Sequence, residues 1–227
     1  MSPLEPVAPT PADTPATMPA ITPETTPATT PASISASIPA TTPASTSAPP
    51  AATSATTPAT GPGRDLTGHP AVQRVLATLA VHSVEPELLS LPDAVRTAAA
   101  AAAAIGVTPA EIANSLIFRA HDEQGTITPL LVLTSGAHQV DLVKIADLLD
   151  GVDHVDRADA DFVRAATGFA IGGVAPVGHP EPIRTIVDVS LSRYRHVWAA
   201  AGHSHTVYRT TYEELLRVTA GHAIEVA

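Results

Sequence analysis

Residues 115–133 read Ser-Leu-Ile-Phe-Arg-Ala-His-Asp-Glu-Gln-Gly-Thr-Ile-Thr-Pro-Leu-Leu-Val-Leu. Apolar and β-branched residues crowd both ends, and the turn-prone run His121-Asp122-Glu123-Gln124-Gly125 separates them. That pattern predicts a hairpin, with strands over 115–120 and 128–133. A hairpin brings antiparallel pairing, which a doubly wound parallel sheet does not need.

Helical signals surround the hairpin. Downstream, Asp141 is placed to cap a helix that turns Leu142, Ile145 and Leu148 inward, and Asp159 begins another ending near Thr167. Upstream, Thr108-Pro109-Ala110-Glu111 has capping-box spacing and starts a short helix. Before it, Asp93 is read as the cap of a helix running through seven alanines, 98–104, and stopping at Gly106. An all-alanine face lets that helix approach the sheet closely. Another helix opens at His69-Pro70, with Val72, Val75, Leu76 and Leu79 on one stripe, and a strand follows over 83–91. Strands over 185–188, 197–201 and 205–209, a helix from Tyr212 and a closing segment at 224–226 complete the reading. The expected fold class is mixed α/β: a mixed β-sheet flanked by helices.

Residues 1–63 differ in kind. Fifteen of the chain's 23 prolines lie there, and Thr-Thr-Pro-Ala recurs from Thr25, Thr29, Thr41 and Thr56. A Pro/Thr/Ala-rich stretch has little to bury against the entropy of ordering it, so a disordered tail is expected over 1–63, with one domain over 64–227. The chain has no cysteine, which excludes disulfides, thiolate metal sites and thiol catalysis. A net charge of −10 argues against broad nucleic-acid affinity while permitting a local basic patch. With neither an export signal nor an apolar span, the expected location is cytoplasmic, without a membrane partner. The competing reading is a surface module on a Thr/Pro-rich stalk.

The strongest local signal for chemistry is the run Gly168-Phe169-Ala170-Ile171-Gly172-Gly173-Val174-Ala175-Pro176-Val177-Gly178. No Lys-Ser/Thr follows it and no Gly-x-Gly occurs in it, so it is neither a Walker loop nor a dinucleotide fingerprint. It is either a tight connection or a loop whose bare backbone faces a reactive carbonyl or ribose. Ser135, His138 and Asp141 suggest a triad, but strand end, turn and helix cap explain all three. His203-Ser204-His205 suggests a metal, but no carboxylate lies near, and surface histidines in a turn are the expectation. Arg193 and Arg195 alternate along a predicted strand face, either towards phosphate or simply into solvent.

Three segments together resemble the YbaK-type prolyl-tRNA editing domain, also called the aminoacyl-tRNA deacylase domain. They are residues 111–118 (Glu-Ile-Ala-Asn-Ser-Leu-Ile-Phe), residues 166–178 around the Thr-Gly-x-x-x-Gly-Gly-x-x-Pro-x-Gly run, and Ile186-Val187-Asp188 leading to Ala201-Gly202. The likeness extends from about Gly68 to the end. It implies hydrolysis, in trans, of the ester between a small mischarged amino acid and the 3′ ribose of a tRNA, commonly tRNA-Pro. The implied partners are a charged tRNA acceptor end and prolyl-tRNA synthetase, with no cofactor and no metal. Synthetase pockets discriminate poorly between similar side chains, which is why such a second site is needed. Carried over by the resemblance, Gly172 and Gly173 orient ester and water, and Asn114 and Ser115 contact the terminal ribose-phosphate or amino acid. Thr167, Gly168 and Pro176 come with the glycine run, Asp188 and Gly202 shape the pocket, and His203, Arg193 and Arg195 are tRNA contacts. Two positions depart from the pattern: Asn114 stands where the family has lysine, and Ala200 where a small hydroxyl residue is common. A non-catalytic binder of aminoacyl-tRNA or of a synthetase is therefore the alternative.

Overall fold

The computed structural model describes residues 65–227. The expected tail over 1–63 lies outside them. Their centre is the predicted hairpin: β2 (Ile112–His121) pairs antiparallel with β3 (Ile127–Ser135) along nine registered residue pairs. With β1 (Glu87–Ser90), β4 (His154–Arg157), β5 (Arg184–Asp188), β6 (Val197–Ala200), β7 (Thr206–Thr210) and β8 (His222–Ile224), it forms one sheet ordered β1-β7-β6-β2-β3-β5-β8, with β4 also on β2. The β6–β2, β3–β5 and β5–β8 pairs are parallel and the others antiparallel, so the sheet is mixed as expected.

Strand alternation distributes the core to two faces. Leu131 and Leu133 join Ile117, Val187 and Tyr208 under α1 (Pro70–Val81), α4 (Ala160–Thr167) and α5 (Tyr212–Thr219). Leu130 and Val132 join Phe118 and Ile186 under α3 (Leu142–Asp147), while Ile112 and Val207 pack under the alanine helix α2 (Ala98–Ile105) on that same side. All four leucine and valine side chains of residues 130–133 are fully buried.

Several local expectations change. The strand expected over 83–91 is confined to Glu87–Ser90, because Ser83 takes a left-handed φ of 55° and turns the chain off α1. Asp93 does not cap α2. Val95 N–H donates to Ser204 C=O (2.8 Å), holding that segment against the β6–β7 turn, and Thr97 caps instead by accepting from Ala100 N–H (3.1 Å). Leu148 is exposed because α3 ends before it, and Leu149 is buried in its place. The closing strand is His222–Ile224 rather than 224–226, although Val226 is fully buried. Strand β4 had no expectation, since His-Val-Asp-Arg offers one apolar residue.

Candidate functional site

One edge of β2 is split. Ile112 and Ala113 pair there with β6, and residues from Phe118 to His121 pair with β4, leaving 114–117 without a strand neighbour on that side. Register settles which groups face the gap. Ile112 C=O accepts from Gly136 N–H towards β3, and His121 C=O accepts from Asp153 N–H on the opposite edge. Antiparallel alternation between these anchors aims the backbone groups of Ser115 and Ile117 into the opening.

A cleft of about 260 Å³ occupies the split. Its lining is largely apolar, with Ile112, Leu116, Ile117, Val163, Val174 and Trp198, and its one charged residue is Arg96. Asn114 and Ser115 project to opposite faces of β2, yet both line the cleft because the sheet is open there. Ser115 Oγ is buried with no hydrogen-bond partner among the described residues. A buried hydroxyl left so costs about 1–3 kcal/mol, which a bound ligand would recover.

The glycine run forms the opposite wall. Gly172, at φ 89°, lines the first cleft, and a Cβ there would lie 3.1 Å from Arg96 Cγ. Gly173 lines a second, adjacent cleft of about 380 Å³, and a Cβ there would lie 3.0 Å from the His203 backbone. The two glycines are not equivalent. Gly173 N–H is used by Ala170 C=O (2.9 Å), whereas the Gly172 amide has no such bond among the described residues. The run is held from behind by His179, whose Nε2–H donates to Ala175 C=O (2.9 Å) and whose ring packs edge-on to Phe169. Burial, with repulsion from Arg74, holds the His179 imidazole below the usual histidine range, against the opposing Ala175 bond.

The second cleft gathers Gly168, Gly202 and His203 with Gly173. His203 Nδ1 accepts from His205 N–H (3.2 Å), which leaves its own proton on Nε2. Partial burial first, and then neighbouring His69 and His205, push its pKa down, so it is neutral at pH 7.

Five expected residues, Thr167, Pro176, Asp188, Arg193 and Arg195, line neither cleft. Thr167 is fully buried, donating to Val163 C=O (2.7 Å) and accepting from Phe169 N–H (3.0 Å) at the end of α4. Pro176, within the run, is buried. Asp188 is fully buried and accepts from Ser135 N–H (3.0 Å) and Ser190 N–H (2.9 Å), with His138 Nδ1 at 2.9 Å. The triad is not assembled: His138 goes to Asp188, Ser135 Oγ donates to Ala110 C=O (3.0 Å), and Asp141 caps α3. Arg193 ends a 3-10 helix (Val189–Arg193) and Arg195 follows it in a loop, so the two share no strand face and line neither cleft. Sequence reasoning missed Arg96, Arg164, His69 and Trp198. Reading Thr97 rather than Asp93 as the cap would have placed Arg96 in a connection instead of a helix. Among the described residues no three His, Cys, Asp or Glu converge as a metal site, and no helix is long and apolar enough to cross a membrane.

The chain is similar to several known proteins. A proline–tRNA ligase of Latilactobacillus sakei is 30% identical over 130 residues, which cover 57% of this chain and 19% of the ligase. The chain thus spans about a fifth of the length of the ligases it matches. The uncharacterized protein YwhH of Bacillus subtilis is 31% identical over 115 residues, covering 51% of this chain and 69% of YwhH. A crystal structure provisionally described as a trans-editing enzyme for prolyl tRNA synthetase is 37% identical with a TM-score of 0.62, covering 69% of this chain and 96% of that one. The family model for the aminoacyl-tRNA editing domain matches residues 92–218, over half of the sequence, and the chain belongs to that family.

Proposed function

We propose that this protein hydrolyses the ester of a mischarged aminoacyl-tRNA carrying a small amino acid, with tRNA-Pro as the first candidate. The observation that carries the reading is the convergence of Gly172, Asn114 and Ser115 on one small cleft in a chain of the editing family. Pockets for drug-sized ligands run to about 300–1,000 Å³. A 260 Å³ cleft, largely apolar, suits a short aliphatic side chain. The names of the relatives, ligases for proline and a trans-editing enzyme for prolyl tRNA synthetase, support the choice of tRNA.

In this reading the free Gly172 amide donates to the ester carbonyl oxygen as negative charge develops on it. Water attacks the carbonyl carbon, the bond to the ribose oxygen breaks, and that oxygen leaves with a proton. Asn114 can donate and accept at once, and together with Ser115 Oγ it holds the amino group or the terminal ribose. The apolar walls take the side chain.

The test is hydrolysis of tRNA-Pro charged with alanine, cysteine, 2-aminobutyrate or proline. Turnover of a mischarged species with prolyl-tRNA spared is expected. A folded sample that cleaves none of them would defeat the reading. Asn114, neutral where the resemblance implies lysine, favours a second possibility, a binder without activity. Under that possibility Asn114→Lys creates or sharply raises hydrolysis, whereas activity in the native chain that the change does not improve dismisses it.

A further inference from the structure

The second cleft has a composition that the protein as a whole does not. In a chain of net charge −10 it is lined by two arginines, Arg96 and Arg164, and by His69 and His203, without a single carboxylate. Neither arginine is in an ion pair among the described residues, so neither charge is already neutralised by a carboxylate. Both are exposed, so desolvation does not explain their freedom. The imidazoles add ring donors. His69 Nδ1 accepts from Ala71 N–H (3.3 Å) and His203 Nδ1 from His205 N–H, which leaves the Nε2 side of each ring to donate. The two rings lie 4.8 Å apart, centroid to centroid. Two arginines and two imidazole donors on one cleft, with no competing acid, suit an anion.

Its position says which anion. Arg96 and Ile171 line both clefts and form the partition between them, with Gly172 on the apolar side and Gly173 on the cationic side. A molecule crossing that partition would place an apolar group in one chamber and an anionic group in the other. We infer that the second cleft binds the phosphodiester adjoining the terminal ribose of the nucleic-acid substrate, gripped by Arg96 and Arg164, while the first cleft takes the acyl group. The inference rests on the proposed function for the identity of the whole ligand. It rests on the charge and placement of the cleft for the phosphate.

The two can be separated by experiment. A CCA-ended RNA oligonucleotide carrying alanine through a non-hydrolysable 3′-amide is titrated by fluorescence anisotropy at several salt concentrations. The proteins compared are the native chain, Arg96→Gln, Arg164→Gln and, as an equal loss of charge away from both clefts, Arg184→Gln. For single strands each neutralised phosphate contributes about −0.7 to the slope of log K against log salt. Each cleft variant is expected to weaken binding about tenfold, as loss of a charged hydrogen bond does, and to flatten that slope. The Arg184 variant should match the native chain. In parallel, cleavage of the ester-linked oligonucleotide is compared with cleavage of 3′-alanyl-adenosine, which has no phosphodiester. The native preference for the oligonucleotide, read as KM, should disappear in the Arg96/Arg164 double variant. Native affinity and slope in both cleft variants, with melting temperatures confirming their fold, would overturn the phosphate site even if hydrolysis is found. Arginine-dependent binding without hydrolysis by the native chain would retain the site and remove the editing reading.

Discussion

Asp188 makes more polar contacts than any other expected site residue, and all of them are to the protein. Its carboxylate gathers the Ser135 and Ser190 amides and the His138 ring with no exposure to solvent. Those partners tie the end of β3 to the 3-10 helix after β5. An amide in its place would set an NH2 against groups that already donate. Asp188→Asn is therefore expected to lower unfolding stability by about 3 kcal/mol, the scale for leaving buried polar partners mismatched. Urea denaturation would show it as a lower midpoint with unchanged slope. The folded fraction should keep its KM, because Asp188 lines neither cleft. A rise in KM at unchanged stability would instead return Asp188 to the substrate.

The glycine run depends on elements that each fix one end of it, and His179 is its internal brace. The imidazole is neutral in the folded protein and its pKa is depressed, chiefly by burial. A histidine in the unfolded chain titrates near 6.5. Below that value the unfolded state binds more protons, so the contribution of His179 is complete above about pH 6.5 and is lost as pH falls through the lower folded value. Thermal melts between pH 8 and 5 should show the native chain losing stability more steeply than His179→Gln. Parallel curves would mean that the brace does not titrate there. At this scale much of the fold was legible. The hairpin, the capping box at Thr108 and the stripe of α1 are local patterns that tertiary structure left in place. What escaped were polar or long-range features. Strand β4 has one apolar residue, the split in β2 exists only because two strands meet the same edge, and the second cleft joins residues from α1, α4, two loops and the β6–β7 turn. Family resemblance singled out Gly172 and Asn114, but nothing in the sequence spacing associates Arg164 with His69.

Taken whole, the sheet between its two helical layers makes a definite claim about autonomy. Strand β3 is hydrogen-bonded on both edges, to β2 and β5, and its side chains at 130–133 are covered on both faces by helices from within residues 70–219. About 160 residues can bury some two thirds of the surface their unfolded chain exposes, enough for a stable single core. We therefore expect the fragment 65–227 to unfold in one cooperative transition with the same urea slope as the full chain, since the slope reports the surface exposed on unfolding. Its melting temperature should agree with that of the full chain to within about 2 °C, less than the shift that 1 kcal/mol produces in a domain of this size. The proposed activity on aminoacyl-tRNA should be equal in the two, because both clefts are lined entirely by residues 69–207. A melting temperature lower by more than about 5 °C would correspond to over 1 kcal/mol supplied by the first 64 residues. An unchanged melt with weakened RNA binding would place their contribution at the substrate instead, and would move the functional boundary of the domain upstream of Asp65.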